Sequence, residues 1–198
     1  GSLCCIICAT GVAQVKMPAP SPTQTIKQDF GMGSIELKYS RPSAKGRTVY
    51  GDLVPFKKLW RTGANSATVI RFSDPAEIGG KKIDSGSYAL YSIPGFESWE
   101  IILNKGITNS GTSGYKESDD VVRFRVEPTK IKSNIETFTM QFADIKPETC
   151  ELHIMWEKTA VIIPIKVAIK ENVKVQLDAA MNNDKKPYWQ AAQFYHEY

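Results

Sequence analysis

From residue 35 to residue 167 the chain keeps returning to one pattern, a short run alternating apolar and polar side chains, closed by a turn. Ile35, Leu37 and Tyr39 alternate with Glu36 and Lys38, the period of a half-buried strand. Runs of the same kind are predicted at 67–72, 87–93, 99–103, 121–127, 136–142, 151–157 and 160–167, with shorter ones near 49–50 and 82–83. Gly79-Gly80, Asp84-Ser-Gly86, Pro94-Gly95, the glycines of 111–114 and Lys146-Pro147 punctuate them. Regular short strands with no long helical pattern between them imply an all-β domain, an antiparallel β-sandwich or jelly-roll-like fold.

The rest of the chain is organised around that domain. Its 198 residues, 42% hydrophobic and 23% charged, suit one main globular domain with an appendage. Residues 14–33 hold Met17-Pro-Ala-Pro-Ser-Pro22 and read as a proline-rich linker leading to a β domain over 34–167. Gly31-Met-Gly33 is a turn entering the first strand, too short for a phosphate loop. Residues 168–198 read as a short C-terminal helical hairpin. Asn172 is a candidate cap for a helix through Val173, Val175, Leu177, Ala180 and Met181, and Pro187 stands where a second helix can begin. Such a pair is similar to the start of a tetratricopeptide-like array; a hairpin packed on the sandwich explains it equally well.

Residues 1–13 contain an apolar, uncharged run, Leu3-Cys-Cys-Ile-Ile-Cys-Ala-Thr-Gly-Val-Ala13, about the length of a signal-peptide core. Gly11 and Ala13 supply small residues at the −3 and −1 positions, so the expectation is export to the periplasm or outside the cell, with cleavage before Gln14. A short buried strand or helix is the alternative. The run is too short to span a bilayer, which needs about 20 apolar residues. Cys4, Cys5 and Cys8 would leave with the leader, and Cys150 would remain as a small buried apolar residue.

Much chemistry is missing from the sequence. The two histidines, His153 and His196, are placed as surface residues, and no HExxH, GxSxG, P-loop, GxGxxG or Cys/His ligand cluster occurs. No metal or cofactor is expected. Glu117, Asp119 and Asp120 fit a solvated turn better than a hard-cation site. The sequence pI near 8.8 is too mildly basic for nucleic-acid binding.

Charge is concentrated instead. Residues 38–61 carry seven bases (Lys38, Arg41, Lys45, Arg47, Lys57, Lys58, Arg61) against the single acid Asp52, a local +6 in a chain of net +4. Pro42 stiffens the loop and Gly46 permits an unusual backbone angle, a frame able to hold Arg41, Lys45 and Arg47 in a set geometry. In Trp60-Arg-Thr-Gly-Ala-Asn65 a tight turn can present Arg61, Thr62 and Asn65 together, with Trp60 stacking on a sugar or covering an arginine. Arginine suits bidentate capture of carboxylate, phosphate or sulfate. Tyr39, Asn104 and Lys105 are further candidates for the same pocket. The competing reading is that these arginines tie loops together through carbonyls and internal carboxylates.

Several blocks in order, Tyr39-Ser-Arg-Pro-Ser-x-Lys-Gly-Arg47, Gly51-x-Leu-Val-Pro55, Trp60-Arg-Thr-Gly-Ala-Asn65, Gly86-x-Tyr-x-Leu90, Ile93-Pro94, Trp99 and Asn104-Lys105, resemble the bacterial DUF2911 family, a domain of unknown function. The resemblance covers about residues 35–167. It implies an exported protein of the type found in Bacteroidetes, with tetratricopeptide-like helices following the domain. Asn109-Ser-Gly111 departs from the family, which tends to carry Trp-Gly there. The leading expectation is a non-catalytic binding module for an anionic or carbohydrate ligand. The alternatives are a glycan- or ester-acting hydrolase or lyase, and a structural domain whose helical tail binds a protein.

Overall fold

The computed structural model describes residues 17–183 and 185–197, so the leader expectation and Cys4, Cys5 and Cys8 lie outside the described residues. Ten strands form two antiparallel sheets. The larger contains β1 (Thr23–Phe30), β2 (Gly33–Ser40), β3 (Thr68–Phe72), β6 (Gly86–Ile93), β7 (Trp99–Asn104) and β8 (Asp120–Val126), neighbours in that order. The smaller is ordered β5 (Lys81–Ile83), β4 (Ala76–Ile78), β10 (Thr149–Lys166), β9 (Pro128–Ala143). The fold is therefore all-β with two short C-terminal helices, as the alternation requires.

One core lies between the sheets. Leu37, Ile70, Leu90, Ile101 and Leu103 from the larger sheet share it with Ile78, Phe138, Leu152, Ile154 and Ile163 from the smaller, and each of the ten is fully buried or nearly so. At about 25 cal/mol per Å² of apolar surface removed from water, each such side chain stabilises the fold by roughly 1.5–3 kcal/mol. Cys150 is a free, buried thiol at the start of β10, as expected of a small apolar residue. Burial, then the nearby Glu151 charge, pushes it up to about 11.

The structure amends several boundaries. Within the proline-rich segment expected over 14–33, residues 17–22 form no strand or helix, and Thr23–Phe30 is a strand paired along its whole length with β2. As an edge strand it needs few apolar residues and buries only Phe30 fully, so its alternation is faint in sequence. Gly31-Met32 is the tip of the β1–β2 hairpin, and Gly31 takes φ +66°. Residues 49–50 contribute only an isolated Tyr50–Val54 bridge. The runs at 151–157 and 160–167 merge into the single strand β10, which keeps its pairing with β9 through register shifts around Glu157 (φ +49°).

The first helix, α1 (Ile169–Ala180), begins before Asn172, so Asn172 is not its cap. The Glu148 carboxylate accepts the Lys170 N–H at 2.8 Å and meets one of the unpaired donors of the first turn. Pro187 directly precedes α2 (Tyr188–Glu197), where the sequence places it. Each helix buries one large side chain, Leu177 and Phe194. No helix among the described residues is long and apolar enough to cross a membrane.

Candidate functional site

Between β2 and β3 the chain leaves the sheets for residues 41–67, and this excursion contains most of the basic window. It is anchored by aromatic packing. Trp60 stacks on Trp156 of β10 (centroids 6.1 Å apart, 20° between planes) and meets Trp99 of β7 and Phe138 of β9 edge to face. Tyr50 packs edge to face on Trp60, Trp99 and Trp156. Burial and the nearby Glu157 charge raise the Tyr50 phenol well above its ordinary value. Trp60 also exchanges backbone hydrogen bonds with Ser92 of β6, at 2.7 and 2.9 Å, and its indole N–H donates to Gly63 O. A loop held this way can keep its backbone in costly conformations. Lys45, Lys57, Thr62 and Asn65 all have φ between 50° and 59°, four of the six non-glycine residues with positive φ among those described. Such strain concentrates where a structure fixes side chains for a purpose.

The ten residues singled out in the sequence divide sharply. Arg41 is spent on β9: its Nε donates to Phe138 O at 3.0 Å and its Nη2 to Thr139 Oγ1 at 2.8 Å. Tyr39 is buried between the sheets, its hydroxyl 2.8 Å from Gln24 Oε1 and accepting the Met140 N–H at 2.9 Å. Thr62 is fully buried, with its hydroxyl on Ser92 Oγ at 2.9 Å. Asn65 donates to Ser21 O and Ser40 Oγ, pinning the segment ahead of β1. Asn104 donates to Lys116 O and Asp120 and accepts the Gly106 N–H, a turn fastener at the end of β7. Lys105 is exposed beside it and gives its backbone N–H to Asp119 O. These six are structural ties or lie away from the basic loop.

The other four, Lys45, Arg47, Trp60 and Arg61, line one cavity of about 500 Å³. Lys58, Trp156, Leu53 and Thr112 join them, and Pro20 and Ser21 close one side. Four cations and no carboxylate or imidazole line the space. None of those cations takes part in an ion pair among the described residues. The carboxylate bonded closest by is Glu136, which accepts the Lys45 backbone N–H rather than its side chain.

The arginines of the cavity differ. Arg47 turns two of its donors back onto Ala44 O and Ser43 O, both at 2.9 Å, and so shapes its own loop. Arg61 does not. Its Nε is buried with no hydrogen-bond partner, the only such side-chain atom found among the described residues. An unmet buried donor costs about 1–3 kcal/mol, so its persistence calls for a reason. The side chain lies over Gly111 (φ +64°), where an added Cβ would stand 2.9 Å from Nη1 and 3.3 Å from Cδ. Gly111 O in turn accepts the Tyr91 hydroxyl at 3.1 Å, so the β6 core sets the floor beneath Arg61. The Asn109-Ser-Gly111 departure therefore sits against the cavity.

The indoles serve a different end than sugar stacking. Trp156 is 1% exposed and Trp60 9%, and their faces are occupied by each other. They make a rigid apolar back wall, with little surface left for a pyranose ring.

Sequence reasoning missed Lys58 and Trp156. Lys58 lay inside the basic window, whereas Trp156 carried the signal of a core strand residue and is one, lining the cavity from behind. The acidic turn also differs from expectation at Asp120. Its carboxylate is mostly buried and holds Arg123 Nε at 2.7 Å, the Tyr115 hydroxyl at 2.8 Å and Asn104 Nδ2 at 2.7 Å. Burial first, then the bond to Asp120, pushes the Tyr115 phenol up to about 12. His153 sits on the outer side of β10, half-buried and 2.7 Å from Glu151 Oε2.

No curated protein and no solved structure matches the chain. A family model described as a protein of unknown function (DUF2911) matches residues 21–165, from just before β1 to the end of β10. That span takes in both sheets and the whole basic excursion, and by it the chain belongs to the DUF2911 family.

Proposed function

We propose that this protein is an exported, non-catalytic binding module for a small ligand bearing an anionic group, held in the cavity of Lys45, Arg47, Lys58 and Arg61. The observation that carries the reading is a concave space lined by four cations in no ion pair among the described residues and by no acid, with one buried guanidinium nitrogen lacking any partner. A cavity with this lining concentrates anions, and a guanidinium offers them paired donors. Phosphate, sulfate and carboxylate groups all suit it. The covered indoles favour recognition through charge over stacking on an uncharged carbohydrate. The lack of carboxylate and imidazole in the lining favours binding over hydrolysis or elimination, both of which need a positioned acid or base. Export rests on the apolar leader with its small residues before Gln14.

Thermal-shift and calorimetric titration with inorganic phosphate, sulfate, sugar phosphates and uronic acids tests the ligand class. Lys58→Gln and Arg61→Met should each weaken the response to any anion that binds. A flat response to every anion from a folded wild-type protein sinks the reading. Export is tested by sequencing the N-terminus of the mature protein, which should begin at Gln14.

A second reading, docking of a protein through the helical tail, draws on Tyr188, Trp189 and Tyr195 of α2, which are 65%, 71% and 62% exposed. It includes the tetratricopeptide-like interpretation of that pair. A photo-crosslinker at Trp189 that captures no more protein than one at exposed Lys130 overturns it.

A further inference from the structure

The loop that lines this cavity also packs against a neighbouring groove that holds Lys57 and Phe96, a feature that anion capture alone does not require. The loop from Leu53 to Lys58 contributes Leu53, Val54, Pro55 and Lys58 to the cavity lining, while Phe56 and Lys57 between them lie outside it. There Phe56 stacks on Phe96 of the β6–β7 turn, with centroids 3.9 Å apart and 32° between planes. The Lys57 N–H donates to Pro94 O at 2.8 Å and locks the two loops together. Phe56 folds back over Gly51, where an added Cβ would meet its ring at 2.9 Å, so the aromatic pair is held in place. Phe96 is nonetheless 75% exposed and Leu53 38%. Lys57 and Lys58 flank them, both exposed. Exposed aromatic carbon on a locked tip, bordered by lysines, marks a surface meant to be covered.

Resting on the anion-binding reading above, we propose that this rim docks onto an anionic phospholipid surface, with Leu53, Phe56 and Phe96 entering the headgroup boundary and a lipid phosphate occupying the cavity of Lys45, Lys58 and Arg61. Charge complementarity selects the occupant. Lys45, Arg47, Lys58 and Arg61 line the cavity and Lys57 and Arg125 the neighbouring groove, against Glu97 and Glu100 in that groove and the exposed Asp52. Protein interfaces exclude lysine from their apolar centres, whereas aromatic rings interspersed with lysine suit the boundary of an anionic bilayer. Each base near such a surface contributes about 1 kcal/mol of attraction, and one large apolar side chain contributes a similar amount on partial burial. Neither set alone gives firm docking, and this rim combines both.

The test is co-sedimentation of the full chain with phosphatidylcholine vesicles, with and without phosphatidylglycerol, beside titration with soluble glycerol phosphate. Binding is expected only with phosphatidylglycerol present. Phe96→Ser should weaken it about tenfold, as expected for losing one large apolar contact. Lys57→Gln and Lys58→Gln should cost roughly fivefold each. Lys57 and Lys58 are exposed, so their variants should melt like the parent, and Phe96→Ser, which loses its contact with Phe56, should melt within about 6 °C of it. Arg61→Met should weaken both vesicle and glycerol phosphate binding. Glycerol phosphate binding without vesicle binding overturns the membrane proposal and leaves the anion site standing. No response to either probe overturns the membrane proposal, and the anion-binding reading falls with it when sulfate and uronic acids also give none. Vesicle binding lowered by the lysine variants but untouched by Phe96→Ser means adsorption by charge alone, and it overturns the insertion of the rim. Vesicle binding untouched by Arg61→Met overturns the headgroup site.

Discussion

Arg61 and Arg41 make opposite predictions when each is replaced by methionine. Arg41 gives two hydrogen bonds across to β9, and Arg41→Met removes both, leaving Phe138 O without this donor while Thr139 Oγ1 keeps its own bond to Thr137 O. Bonds from a charged donor contribute about 1.5–3 kcal/mol each, so this variant should lose about 3 kcal/mol. Arg61 has a buried Nε with no partner, a penalty already present in the wild-type fold. Methionine keeps a stem of similar reach over Gly111 and brings no unmet donor. Arg61→Met should therefore be no less stable than the parent, and up to about 1 kcal/mol more stable. For a domain of this size 1 kcal/mol moves Tm by about 2–4 °C, so the two variants should separate by roughly 6–16 °C. Urea and thermal unfolding followed by tryptophan fluorescence suits the comparison, because Trp60, Trp99 and Trp156 share one core cluster. Added phosphate should raise the parent's midpoint by mass action and raise that of Arg61→Met less. If Arg61→Met falls as far as Arg41→Met, Arg61 is a loop tie and the cavity reading fails.

Other consequences are open to measurement. Gly111→Ala puts a Cβ against Arg61 Nη1 at a positive φ, and should cost about 1 kcal/mol and weaken anion binding together; unchanged binding would show that Gly111 does not set the guanidinium. Asp120→Asn weakens the carboxylate that holds Arg123, Tyr115 and Asn104, and should cost about 2 kcal/mol in urea unfolding without altering the cavity. The Tyr115 phenol sits at about 12 in the fold against an ordinary 10.0, so above pH 10 the unfolded chain binds fewer protons than the folded one. The Tyr115 contribution to stability should be constant below pH 10 and be lost as pH rises from 10 to 12; Tyr115→Phe should flatten that decline in pH-dependent urea midpoints, and an unchanged slope counts against it.

The strands were legible because burial on one face imposes a period of two, and Leu37, Ile70 and Ile101 meet the core on that period. β1 was hidden for the same reason in reverse, since an edge strand with one fully buried side chain leaves little alternation to see. The helix at Ile169 starts ahead of its expected cap because the acceptor comes from Glu148, on the turn before β10. Similar limits apply to the site.

The clustering of charge in residues 38–61 is a property of the sequence alone, as are the turn residues that hold the chain out of the sheets there. What each charge does is not. Arg41, Arg47 and Arg61 are chemically identical and lie within one segment, yet one is tied to β9, one to its own loop, and one is left with an unmet nitrogen beside a cavity. The deciding partners, Phe138 O and Thr139 Oγ1, are about a hundred residues away in sequence and arrive only when the second sheet closes over the first. A hydrogen bond depends on distance and direction in space, so local sequence supplies the donors and tertiary packing decides which remain for a ligand.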